Sequence, residues 1–252
     1  MCPMREDVPV ESRSEGERLD VMASGHLVPA VMWRPEHADR PPVVLLGHGG
    51  SGHKTDEFVT GMAARLVQCG IAALAIDAPF HGERALPSEG QLSYLGQMAK
   101  QGLTSVYDEA CADWVAALDV AGGAGLVDTG RVGYIGLSMG SNFGFPLCAL
   151  LGPRLSCAVL GKLGNAVSPG FPSLVTAPEI VIEAARALQA PVLMHMQWDD
   201  EIFPRDGQLA LFESIGSANK VLHARPGPHG FTHPDDEASW ASFMSRHLLP
   251  AR

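Results

Sequence analysis

The stretch Arg131-Val132-Gly133-Tyr134-Ile135-Gly136-Leu137-Ser138-Met139-Gly140 decides the fold. Its apolar and β-branched run predicts a strand over 131–137. The residues that follow predict a helix over 139–151, running straight on from that strand. Between them lies Gly136-x-Ser138-x-Gly140, the pattern of a sharp strand-to-helix turn that lifts a serine hydroxyl above a sheet edge. Glycines on either side let neighbouring chain pass close to a strained serine backbone. The start of the helix points its positive end at the same place. Ser138 is therefore the candidate nucleophile. The plainer alternative is a serine that only caps the helix.

Working outward, Val43-Val44-Leu45-Leu46 is wholly apolar, which suits a strand covered on both faces. Glycine-rich 48–52 follows, then an amphipathic helix over 56–69 and a buried strand over 71–76. Residues 78–102 read as irregular, and 104–121 as a helix with Tyr107, Cys111, Trp114 and Leu118 on one face. Later strands are expected at 157–161, 191–197 and 220–224, and helices at 177–188, 206–215 and 235–249. Near the start, 19–24 and 28–33 flank Gly25-His26 as a hairpin. The expected fold is α/β: an N-terminal antiparallel hairpin and a mostly parallel central sheet with helices on both faces. The expected organisation is a polar segment, 1–18, followed by one domain over 19–252. Function in such sheets gathers at the C-terminal ends of the strands.

Three groups should meet there. A serine hydroxyl needs a base, and histidine suits the task because it titrates near neutrality. His229, in Pro226-Gly227-Pro228-His229-Gly230-Phe231, follows the last strand, and His233 is its rival. The acid that orients the base should follow the preceding strand, where Trp198-Asp199-Asp200-Glu201-Ile202-Phe203-Pro204 stands. Asp200 is the choice and Asp199 the alternative. Donors for a developing oxyanion are expected from the Met139 N–H and from the loop Gly47-His48-Gly49-Gly50-Ser51-Gly52-His53-Lys54. Gly50 is assigned there, with Gly49 and Ser51 as neighbours able to serve. His48 is read as a support for that loop. Asp77 and Arg84, in Asp77-Ala78-Pro79-Phe80-His81-Gly82-Glu83-Arg84, read as a salt-bridged turn. Phe80 and Trp198 are candidate pocket walls, and 85–102 is a candidate flap.

Composition limits the partners. Hydrophobic residues make up 46% and charged residues 18%, an ordinary globular balance, and the formal net charge is -10. Nucleic acid is not expected, because phosphate binding needs clustered Lys and Arg. The glycine-rich loop lacks Walker spacing, and no cofactor or metal is expected, since His48 and His53 have no companion ligands. Five cysteines without CxxC spacing read as free thiols, four of them in apolar surroundings. No signal peptide and no membrane span are read, so a soluble cytoplasmic protein is expected.

Taken together, His48-Gly49-Gly50, Asp77-x-x-x-His81-Gly82-Glu83-Arg84, Gly136-x-Ser138-x-Gly140, Asp200 and His229 resemble the α/β-hydrolase fold. The chain resembles its dienelactone-hydrolase-like esterase group over about 19–249. That resemblance implies a hydrolase with a small cap or none, acting on a small-molecule ester. Dienelactone hydrolases proper use cysteine; serine here points to ordinary carboxylic esters and an acyl-enzyme route. Alternatives on the same groups are thioester or carbon–carbon cleavage. A non-catalytic binding protein of this fold is the third.

Overall fold

In the computed structural model, which describes residues 16–86 and 93–250, local sequence explains most element boundaries. A two-residue strand β1 (Glu17–Arg18) comes first, then β2 (Val21–Ala23) and β3 (His26–Val28), joined through Ser24 and Gly25, both at positive φ. After Pro29 comes β4 (Ala30–Trp33), then β5 (Pro42–Gly47), α1 (Glu57–Gln68) and β6 (Ala72–Ile76). Next are α2 (Ser93–Gln101), α3 (Leu103–Gly123), β7 (Asp128–Gly136), α4 (Met139–Leu151) and β8 (Leu155–Gly161). The chain closes with α5 (Glu179–Ala187), β9 (Val192–Gln197), α6 (Arg205–Ser214), β10 (Lys220–Arg225) and α7 (Pro234–Leu248).

The main sheet has the order β1-β4-β6-β5-β7-β8-β9-β10. From β6 to β10 every pairing is parallel, while β4 pairs with β6, and β1 with β4, antiparallel. Side-chain alternation divides the core. Val43 and Leu45 of β5 face the cluster packed by α2 to α5, whereas Val44 and Leu46 face the cluster built with α1 and α7. A strand buried on both faces needs a continuous apolar run, and β5 has one.

Three expectations change. The expected N-terminal antiparallel hairpin is present as β2 and β3, but it is shorter than 19–33, since β4 belongs to the main sheet. Pro29 lies at the break and has no N–H to extend a ladder. Residues 78–102 are not wholly irregular, since they hold a 3₁₀ turn (Gly82–Arg84) and α2. Cys111, Cys148 and Cys157 are free and buried as expected, but Cys69 is in a disulfide, against the reading of five free thiols. The N-terminal segment up to residue 15, and 87–92 of the candidate flap, lie outside the described residues. Among the described residues no helix is long and apolar enough to cross a membrane.

Candidate active site

The turn after β7 is as tight as its glycines imply. Ser138 adopts φ 56°, ψ -120°, a region costly for any residue with a side chain, and makes no capping hydrogen bond with its hydroxyl. A Cβ on Gly136 would collide with the Gly140 carbonyl, and one on Gly140 with the Gly47 carbonyl. The Ser138 N–H donates to Gly161 O at 2.9 Å, and the buried Tyr134 hydroxyl donates to Gly140 O at 2.6 Å. The strained turn is thus held by β7, which leads into it, and by the neighbouring β8, and the hydroxyl is left free for a partner.

That partner is His229. Its Nε2 lies 3.0 Å from Ser138 Oγ, and its Nδ1 lies 2.9 Å from Asp200 Oδ2. A carboxylate accepts only, so Nδ1 carries the proton and Nε2 is left as the acceptor for the serine hydroxyl. Asp200 is held in turn: its Oδ1 accepts from the Ile202 and Phe203 N–H groups, each at 2.9 Å, and its side chain is fully buried. Asp199 faces elsewhere, accepting from Gly227 N–H and pairing with Arg205 near solvent. Glu201 accepts from the His229 backbone N–H. His233 caps α7, where its ring accepts from Asp235 N–H. The neighbouring acids and the rival histidine therefore shape the loops, and only Asp200 touches the imidazole edge opposite Ser138.

On the other side of Ser138, the loop after β5 has its Gly49 carbonyl held from behind. His48 Nε2 accepts from Ala78 N–H, so its Nδ1–H donates to Gly49 O at 2.8 Å. Burial keeps this imidazole neutral, lowering its pKa to about 4. His81 Nε2 lies 3.1 Å from Gly50 O. The far end of the loop is anchored by Lys54, whose Nζ donates to buried Asp77 at 2.7 Å and to Glu83 at 2.6 Å. Arg84 pairs with Asp113 and Glu109, so this segment is the structural turn expected of it.

A cavity of about 240 Å³ opens beside Ser138 and His229. Met139, Gly50 and Ser51 lie on its wall, together with Tyr94, Leu95 and Met98 of α2, Tyr107 of α3 and Phe143 of α4. The candidate walls Phe80 and Trp198 are not among the lining residues. Phe80 packs against the core beneath the turn, and Trp198, 42% exposed, lies under the Arg205 guanidinium at 4.4 Å. Tyr94, Leu95 and Met98 lie within the candidate flap over 85–102; the individual residues were missed because Gly90 and Gly96 interrupt their helical spacing. Among the described residues two clusters have the ligand geometry of metal sites, His195–His223–Asp236 and His26–Glu109–Asp113. In each the aspartate is already paired with an arginine, Arg225 and Arg84 respectively.

Comparison with known proteins agrees with this architecture. The chain shares 32% identity with a cold-adapted esterase from an Arctic intertidal metagenomic library, solved with polyethylene glycol bound. That match has a TM-score of 0.77 and covers 92% of this chain and 93% of that one. A putative dienelactone hydrolase of Klebsiella pneumoniae has the same fold at 22% identity and a TM-score of 0.73, covering 94% and 98% of the two chains. Est1E of Butyrivibrio proteoclasticus, solved with ferulic acid, shares the fold at 16% identity and a TM-score of 0.71, covering 92% and 100%. Among curated proteins no significant sequence match is found. Residues 28–246 match the dienelactone hydrolase family, and this chain belongs to it.

Proposed function

We propose that this protein is a serine esterase that cleaves small, uncharged carboxylic esters through an acyl-enzyme. The observation that carries the reading is the continuous chain Ser138 Oγ, His229 Nε2, His229 Nδ1 and Asp200 Oδ2, with both links at hydrogen-bond distance. Ser138 attacks the ester carbonyl while His229 takes its proton. His229 then returns that proton to the departing alkoxide. A water, activated by the same histidine, releases the acid and restores the serine. Asp200 fixes the tautomer and stabilises the imidazolium formed on the way.

The developing oxyanion needs donors already in place. The Met139 N–H lies in the first turn of α4, where backbone N–H groups have no partner within the helix. The second donor is the Gly50 N–H. In a trans peptide the C=O and N–H point in opposite directions, so fixing Gly49 O on His48 turns the Gly50 N–H away from that ring.

The cavity supports the substrate class. At about 240 Å³ it is smaller than pockets for drug-sized ligands, roughly 300–1,000 Å³. Among the described residues its lining includes no Lys, Arg, Asp or Glu to pair with a charged acyl group. A serine rather than a cysteine nucleophile suits ordinary oxygen esters. The test is hydrolysis of p-nitrophenyl acetate: Ser138→Ala should lower kcat at least about 10³-fold. Full activity in that variant would sink the proposal.

A further inference from the structure

Lys162 is a buried cation that the reaction above does not use. It is 4% exposed and follows β8 directly, at φ 48°. Its Nζ donates to Phe231 O at 2.6 Å and to Thr232 Oγ1 at 2.8 Å. Both acceptors are uncharged, and among the described residues no carboxylate lies within ion-pair distance of the ammonium. Burying an unpaired charge is costly, and a non-glycine residue at positive φ adds to the cost. Stability alone does not account for a lysine here.

Its neighbour explains the placement. Gly161 O accepts from the Ser138 N–H at 2.9 Å and from the Ser141 hydroxyl at 2.8 Å, and Gly161 N–H donates to Ser141 Oγ at 2.6 Å. A Cβ at Gly161 would overlap the His195 carbonyl, so the backbone passes β9 with no room to shift. Gly161 thus holds the turn that carries the nucleophile, and the next residue reaches across to the loop that carries the base. Gln197 Nε2 grips that loop from the other side, donating to Phe231 O at 2.6 Å and Pro228 O at 3.1 Å. We infer that Lys162 is a positioning residue, which fixes the His229 loop against the Ser138 turn and so sets the distance between base and nucleophile. This inference rests on the serine esterase reading.

The charge itself is a delicate one. Burial lowers the Lys162 pKa to about 8, while Asp200 and Asp236 oppose that shift, and His195 is the other titratable group facing it. The ammonium therefore persists at neutral pH and is lost in mildly alkaline solution.

The test is Lys162→Met, which keeps the length of the side chain and removes charge and donors. Small misplacement of reacting groups costs up to about 10²-fold, so kcat on p-nitrophenyl acetate should fall roughly 10- to 100-fold. KM should stay within about threefold, because the ester still meets the same cavity. Thermal stability should hold or rise, since replacing a buried charge with an apolar group is often neutral or stabilising. A structural role would give the reverse, a lower melting temperature with normal kcat in the folded fraction. Thr232→Val removes one acceptor with little change in shape, and should lower kcat several-fold in the same direction. A folded Lys162→Met with wild-type kcat overturns the inference. If that variant does not fold, an unchanged kcat in Thr232→Val overturns it. Ser138→Ala measured alongside separates the two claims: if it keeps activity, the esterase reading has failed, and if only the Lys162 and Thr232 variants match wild type, the positioning role has.

Discussion

The two loops that face each other across Ser138 are built in opposite ways. The loop after β5, residues 47–54, has its Gly49 carbonyl held by His48 and its end locked by the buried Lys54–Asp77 pair. The loop after β10, residues 226–233, is mostly part-exposed and hangs on a few side chains reaching up from β8 and β9: Lys162, Gln197 and the acids 199–201. The difference fits the proposed chemistry. Donors that receive developing charge work best when they need not move. A base that takes a proton and returns it needs correct placement without a locked surround. Substitutions around the first loop should therefore cost stability, and substitutions around the second should cost rate.

The largest effect that breaks this comparison is expected at Asp200. Asp200→Asn keeps the shape and presents the wrong tautomer to Ser138, so kcat should fall about 10³- to 10⁴-fold with the melting temperature little changed. Asp77→Ala should do the opposite. It leaves buried Lys54 with Glu83 alone, so the loss in denaturant unfolding should stay below the roughly 3–5 kcal/mol of a fully unpaired buried charge. A subtler effect separates rate from stability within one molecule. Between pH 8 and the ordinary lysine value of 10.5, the folded chain has released the Lys162 proton and the unfolded chain has not. Stability from this group therefore rises with pH across that window, because the unfolded state binds more protons there. If the ammonium grips the His229 loop, kcat should fall over the same window, and Lys162→Met should lose both trends. The smallest effects belong to residues that flank the site without serving it. Trp198→Ala should leave kcat within about twofold, as expected of an exposed side chain.

The residues show why some of this was legible in the sequence. The sheet was readable because β5, β6 and β8 are short apolar runs with helical periodicity between them, and the Ser138, Asp200, His229 order marks the sheet edge without knowledge of packing. Asp200 is already the choice over Asp199 in the sequence, but the physical reason lies in the structure: both follow β9 closely, and the turn through Ile202 and Phe203 holds the Asp200 carboxylate inward. The cavity wall was not legible. Tyr94, Tyr107 and Phe143 come from three helices, and their meeting is a product of tertiary packing. Lys162 carried no motif at all. A lysine after a strand normally reads as exposed, and nothing local marks this one as buried.

The central claim is that Ser138 is an activated nucleophile. A fluorophosphonate reacts with a serine hydroxyl that has a poised base beside it, and mass spectrometry locates the adduct. The account predicts a single adduct on the peptide containing Ser138, absent from Ser138→Ala and strongly slowed in His229→Ala. Folded protein that stays unlabelled, or that is labelled on a different residue, would contradict it.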